Sequence, residues 1–248
     1  MHPGAWSWNP EALAGLLLAA AYLLAIRRTP APRWRTACFL AGCGLLVLVF
    51  VTPWDTVAVD YLLWVHLLQN VVLAEWAPLL LVLGIPPALG ERLTANRPLR
   101  LLTHPLVALP LWVGTYVVWH LSPLYDAALQ RGGALLALEH ACYLATGVLM
   151  WWCVWQDAPH RLPSAARAAY VFAGFVLSAP LGLVLALVPD PIYDAYADAP
   201  ERLWGLSRLT DQQLGGISMA TEQSIVFFAV FAFWFLRFLA EQEHADTD

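Results

Sequence analysis

An all-α, polytopic membrane bundle of seven helices is the fold this sequence predicts, and three observations predict it. Of the 248 residues, 60% are hydrophobic and only 12% are charged, about half the charged fraction of a soluble domain. Apolar runs of about 20 residues recur at short intervals, the length a helix needs to cross a bilayer. The 13 basic residues are all arginine, and most of them crowd into alternate connections.

The first span covers residues 11–26. The segment MHPGAWSWNPEALAG lacks the positive stretch that opens a secretory signal, so this apolar run is expected to be kept as a span. The second, 36–51, carries Gly42 and Gly44, where another helix could approach closely. The third, 57–84, is apolar throughout yet holds Asp60, His66, Gln69, Asn70 and Glu75. An ionisable group at the bilayer centre costs about 3 kcal/mol on insertion scales, so such groups face a bundle interior or a site. His66 and Asn70, one turn apart, share a face, while Glu75 points to the opposite side.

The fourth span, 105–121, ends at His120, and the fifth, 134–155, holds Glu139 and His140. The sixth covers 168–188. The seventh, 213–239, opens with Asp211-Gln212-Gln213-Leu214-Gly215-Gly216 and continues to Met219, Glu222 and Gln223, which share one helix face. Asp211 is expected to cap this helix, and Gly215, Gly216 and Ala220 to mark a close helix contact. The connection from Pro189 to Thr210, rich in Tyr, Asp and Pro, reads either as ordered against the bundle mouth or as a surface loop. The closing EQEHADTD reads as a solvated tail. Residues 1–248 thus form a single integral-membrane domain, with no repeat or low-complexity tract.

Arginine sets the orientation. Arg27, Arg28, Arg33, Arg35, Arg92, Arg97, Arg100, Arg161, Arg167 and Arg237 fall on one side, against Arg131, Arg202 and Arg208 on the other. The positive-inside rule places the first group in the cytoplasm, the N-terminus outside and the C-terminus inside. Trp6, Trp8, Trp54, Trp151, Trp152 and Trp155 lie near span ends, as interface anchors do. Cys38, Cys43, Cys142 and Cys153 show no metal or redox spacing and read as small packing residues. No aromatic–basic face of the kind nucleic-acid binding requires is present.

Of the seven His, His2 and His244 lie in tails and His104 and His160 in connections. His66, His120 and His140 differ, falling in the outer half of three consecutive spans. His66 stands about 14 Å in from Val57 at the helical rise. Three imidazoles converging there would suit copper, zinc, iron or nickel, and a satisfied polar network is the alternative. Asn70, Gln69 and Glu139 are candidates to orient a ring nitrogen. Met219 could add a thioether, which favours copper(I). Asp211, Gln213 and Glu222 complete the interior polar set.

The ordered fragments resemble the polytopic bacterial CtaG kind of cytochrome c oxidase assembly factor. They are Trp54-Asp55, His66-Leu-Leu-Gln69 leading to Ala77-Pro78-Leu79, and Leu83-Gly84-Ile-Pro86. They continue with Trp119-His120-Leu-Ser-Pro123-Leu-Tyr125-Asp126, then Leu138-Glu139-His140 with Gly147 and Trp151-Trp152, and Asp211-Gln-Gln213-Leu-Gly215-Gly216 with Met219. The resemblance implies a seven-helix protein of the bacterial plasma membrane that is no enzyme. It implies a cytochrome c oxidase subunit as partner and copper as cargo, handled at the outer face. His66, His120 and His140 match the family's membrane histidines, and Asp211, Gln213, Gly216 and Met219 its last-helix motif. Where the family commonly has a second His one turn after the first, this chain has Asn70.

Two further function classes are compatible with the residues alone. A membrane cytochrome would ligate haem through His on neighbouring spans. A proton or small-solute pathway would be lined by Asp60, Glu75, Glu139 and Glu222. An intramembrane hydrolase lacks its motifs, since neither HExxH nor GxSxG is present in a span. The oligomeric state is not written in the sequence.

Overall fold

The computed structural model describes residues 2–131, 133–199 and 201–245, and within them every regular element is helical. Met1, Gly132, Pro200 and the last three residues of the expected tail lie outside the described residues, and 241–245 continue the final helix. The order is α1 (Ala12–Ile26), α2 (Arg33–Val51), α3 (Pro53–Asp60), α4 (Leu63–Val71), a π turn (Val72–Trp76) and α5 (Ala77–Gly84). Then come α6 (Pro87–Leu93), α7 (Arg97–Leu102), α8 (Pro105–Trp119), α9 (Ser122–Arg131), α10 (Gly133–Trp155), α11 (Ser164–Leu187) and α12 (Arg208–Ala245).

Leu63–Gly84, the run from α4 through the π turn to α5, is the axis of the bundle. Its apolar window is 72% buried, against 22–33% in the other membrane-length helices. Residues from α2, α8, α10 and α12 pack around it. The π turn has a local cause. Pro78 has no N–H to give the carbonyl four residues back, Ala74, and its ring crowds that carbonyl. The ladder widens instead, with Ala77 N–H bonding Val72 O. The orphaned Ala74 carbonyl then receives the Trp112 indole N–H at 3.4 Å. Gly147 of α10 lies against the same peptide, so close that a Cβ there would strike Ala74 O.

The expected third span, 57–84, is one helix too long: residues 57–60 belong to α3, and the chain breaks at Tyr61–Leu62. The break is held by Asp211, whose carboxylate accepts Leu63 N–H at 2.9 Å and Trp64 N–H at 3.0 Å. This corrects the expected role of Asp211, which lies inside α12 and caps the central helix rather than its own. An acidic cap on two otherwise unbonded N–H groups is charge-assisted and lies at the positive helix end. Asp211→Asn should lower the unfolding midpoint of the purified protein, at a cost of about 1–3 kcal/mol, because an amide offers one acceptor where two donors wait.

From that cap, α12 runs parallel to the axis with a constant offset of 148 residues: Asp211 on Leu63, Gln223 on Glu75. Gly215, on the same offset, lies against Leu67 and Trp64. Gly216 meets α11 at Gly182 and Ala186, and Ala220 meets Gly182, as expected of small residues at a helix contact. In α2, Gly42 does bring the backbone against Ala77 and Leu81, whereas Gly44 has nothing within 4 Å.

Among the described residues, five helices are long and apolar enough to cross a membrane, or six if α8 and residues 122–130 of α9, bent by 72° at their break, are one span. The 15-residue α1 is apolar but shorter. The outer surface is apolar: Leu13, Leu16, Leu17, Phe228 and Leu236 are each more than half exposed. Trp151 and Trp152, expected as interface anchors, instead sit buried in the core, where Trp151 packs on Phe227. All four cysteines are free.

The two ends of the bundle differ in chemistry. At one end, Arg35 donates to Leu83 O and Ile85 O, both at 2.8 Å, a cation on the carbonyl end of α5. Tyr22 bonds Gly84 O, Arg92 bonds Thr29, and Arg167 bonds Val154 O and Leu162 O at that same end. The other end gathers His66, His120 and His140.

Candidate functional site

The histidines are delivered by three helix termini. His66 lies in the first turn of α4, His120 caps the C-terminus of α8, and His140 lies in the second turn of α10. All three are buried. The His66 and His140 ring centroids are 5.9 Å apart. Tyr125 of α9 bridges the third, standing 5.6 Å from His66 and 5.9 Å from His120. The early break at Tyr61–Leu62 makes His66 shallower than its place in a 57–84 span implied, which brings it level with the other two.

Hydrogen bonds set which nitrogen of each ring is free. His120 Nδ1 lies 2.8 Å from the Tyr116 carbonyl, which can only accept, so Nδ1 carries the proton. The Tyr143 hydroxyl stands 3.2 Å from the same nitrogen. His140 Nδ1 lies 2.9 Å from Glu11 Oε2, which likewise fixes the proton there. In both rings Nε2 is buried with no partner. A ring held this way by a carboxylate or carbonyl presents a bare lone pair, the arrangement of metal-binding imidazoles.

His66 is different. Its Nε2 stands 3.2 Å from the Asn70 amide nitrogen, which also donates to Glu139 Oε1 at 3.0 Å. Glu139 Oε1 is 3.7 Å from the same ring nitrogen. Asn70 thus ties His66 to Glu139, and the unpartnered atom is His66 Nδ1. Glu139 and Asn70 lie where the sequence placed them, around His66.

Residues 192–196 of the expected 189–210 connection pack over this centre, so this part of it is held against the bundle mouth. Tyr193 stacks on Tyr125 at 4.1 Å and donates to His120 O at 3.1 Å, and Tyr196 donates to Ala58 O at 2.5 Å. Burial pushes both phenols above their ordinary range, so they stay neutral donors. Asp126 holds the connection by accepting Asp194 N–H and Ala195 N–H. Gln212 of α12 accepts Ile192 N–H at 2.6 Å.

Other expected members lie elsewhere. Gln213 is half-buried, and its neighbour Gln212 makes the bonds instead. Gln69 bonds Val49 O and Asp55, not a histidine. By the offset of α12 on α4, Met219 stands level with Val71, one turn deeper than the rings, and it is buried in the apolar core. Glu222 is deeper still, bonded to the Trp76 indole. Glu11, Tyr116, Tyr143 and Tyr193 were not singled out from the sequence, and Tyr125 only as part of the fragment that follows His120.

Among the described residues, no three His, Cys, Asp or Glu side chains already stand in a metal-holding arrangement. The donor chemistry nevertheless fits a soft or borderline cation, because the unpartnered atoms include imidazole nitrogens, beside Glu139 Oε2, Asn70 Oδ1 and the Tyr125 hydroxyl. The fold and this centre define a class: a bundle of membrane-length helices with a buried imidazole–carboxylate centre under a tyrosine-lined roof.

Over residues 18–241 the chain matches the family described as cytochrome c oxidase caa3 assembly factor (Caa3_CtaG), and it belongs to that family. It is 27% identical over 241 residues to uncharacterized proteins of Mycobacterium bovis and Mycobacterium tuberculosis, covering 84% of this chain and 36% of each of theirs. An uncharacterized protein of Mycobacterium leprae is 26% identical over 247 residues, covering 87% of this chain and 37% of its own. The chain therefore spans little more than a third of the length of these curated relatives. No solved structure matches it.

Proposed function

We propose that this chain is a non-catalytic assembly factor that takes up copper at the outer face of the bacterial plasma membrane and passes it to a cytochrome c oxidase subunit. Seven crossings serve this reading: α1, α2, the axial helix, α8 with α9, α10, α11 and α12, with the N-terminus outside. The arginine-bearing end then faces the cytoplasm, as the positive-inside rule requires. The histidine end opens outward, where an incoming ion would meet it first.

One observation carries the proposal. His120 and His140 have their Nδ1 protons committed, and each holds a buried Nε2 with no partner. A buried acceptor without a donor costs about 1–3 kcal/mol, and a cation at those nitrogens removes that cost. Two imidazoles suit copper(I), with His66 Nε2 as a third donor once Asn70 releases it and the ring turns. Met219, one turn deeper, is a thioether stop for the ion on its way in or out rather than a fourth ligand at the rings.

Metal analysis of the full chain purified with copper(I) tests it, with about one copper per chain expected; none would overturn it. The role of Glu11 gives a graded check. Glu11→Gln keeps the contact to His140 but loses the carboxylate, and should weaken copper affinity about 10–100-fold without shifting the unfolding midpoint much. Competition titration against a copper(I) chelator reads that change.

A further inference from the structure

We propose that Glu75 and Glu222 form a second site, distinct from the histidines, which binds one proton inside the membrane and exchanges it through a lipid-facing groove beside Trp76. Glu75 lies in the π turn and Glu222 on α12, and their neighbours cross-link them: Gln223, next to Glu222, donates to Glu75, and Trp76, next to Glu75, donates to Glu222. Two buried carboxylates set side by side repel each other, and one proton held by the pair removes that repulsion.

The surroundings supply donors but no cation. Tyr116 donates to Glu75 Oε1 at 2.7 Å and Gln223 to the same oxygen at 2.9 Å, while the Trp76 indole donates to Glu222 Oε1. From α10, Tyr143 packs against the Tyr116 ring at 5.3 Å. These, with the two carboxyls themselves, are the groups that act on the pair. Glu75 Oε2, Glu222 Oε2 and Gln223 Oε1 are buried acceptors with no partner. Three open acceptors around two carboxyl groups, with no positive side chain, leave a proton as the group that completes the set.

A groove of about 420 Å³ between the axial helix and α12 is lined by Leu68, Trp76, Ser218, Thr221, Glu222 and Ile225. Glu222 is 8% exposed there, whereas Glu75 is fully enclosed. Glu222 is therefore the entry carboxyl and Glu75 the inner one. The π turn presents Glu75 to this pair, and α8 joins it to the upper centre, since Tyr116 bonds Glu75 and His120 follows one turn later.

The test is carbodiimide labelling of the full chain in lipid vesicles, with peptide mass spectrometry, which needs no copper. The hydrophobic dicyclohexylcarbodiimide adds across the O–H of a protonated carboxyl reached from lipid; a water-soluble carbodiimide does not enter the groove. Modification at Glu222 by the hydrophobic reagent alone is expected, declining as pH rises and lost in Glu222→Gln. In Glu75→Gln, Glu222 no longer has an acidic neighbour to hold its proton, so the decline should shift to lower pH. An unmodified Glu222 at every pH, labelling independent of pH, or an unshifted curve in a folded Glu75→Gln variant would each overturn the proposal. Should either variant fail to fold, the infrared carbonyl band of a protonated carboxyl in the wild-type protein decides: present near neutral pH supports the site, and absent overturns it.

Discussion

Gly147→Leu should leave no monodisperse folded protein on size-exclusion chromatography, and even Gly147→Ala should lower the unfolding midpoint sharply. The reason is what the glycine touches. A Cβ at Gly147 would strike the Ala74 carbonyl, with its carbon at 2.8 Å and Pro78 Cγ also at 2.8 Å. Two of those three atoms are backbone, and that backbone is already committed: Pro78 forces the π turn, and Trp112 satisfies the carbonyl it frees. Overpacking a core side chain costs about 1–3 kcal/mol because neighbours can rotate away; here two helix backbones must part. Parting α10 from the axis would also draw Glu139 and His140 away from Asn70 and His66, so the histidine centre goes with the packing. Gly44 is the control. Nothing lies within 4 Å of a Cβ there, and Gly44→Ala should be neutral or slightly stabilising, since alanine is the better helix former.

The same region shows what the sequence discloses and what it hides. The helical class follows from composition and run length alone, and the polar residues of the third run pointed to the axis of the bundle. The break at Tyr61–Leu62 was not legible, because its cause lies 148 residues away in Asp211. A carboxylate four residues before Gly215 reads as a cap for its own helix; only the fold shows it capping another. The π turn was legible in principle, since Pro78 marks a missing hydrogen bond, yet its effect on Glu75 depends on what α8 and α12 offer. Glu139 and Asn70 were found because they sit one residue or one turn from a histidine. Glu11 was missed because nothing local distinguishes a glutamate at the start of a helix from a surface residue, and Tyr125, though part of a quoted fragment, was given no role at the histidines.

The three histidines should not respond alike to removal, although they are equivalent as residue types. His120→Ala and His140→Ala each delete a bare Nε2 whose ring orientation is fixed from behind by Tyr116 O or Glu11. Each should weaken copper binding by roughly a hundredfold, about 2.7 kcal/mol, and the double variant should purify without copper. His66→Ala should weaken it less, within about tenfold, because its Nε2 lone pair is engaged by Asn70, which leaves the proton on Nδ1 and no bare nitrogen on the ring. Chelator competition on the three single variants, with unfolding midpoints measured beside it, gives the ranking. Equal losses in all three would mean that Asn70 releases the ring and that the ion sits among three imidazoles. Unchanged copper in the double variant would remove the histidine centre from the copper reading altogether. The asymmetry follows from one amide: Asn70 donates to both His66 and Glu139, so it ties the third ring to a buried carboxylate and leaves two bare nitrogens for the proposed ion.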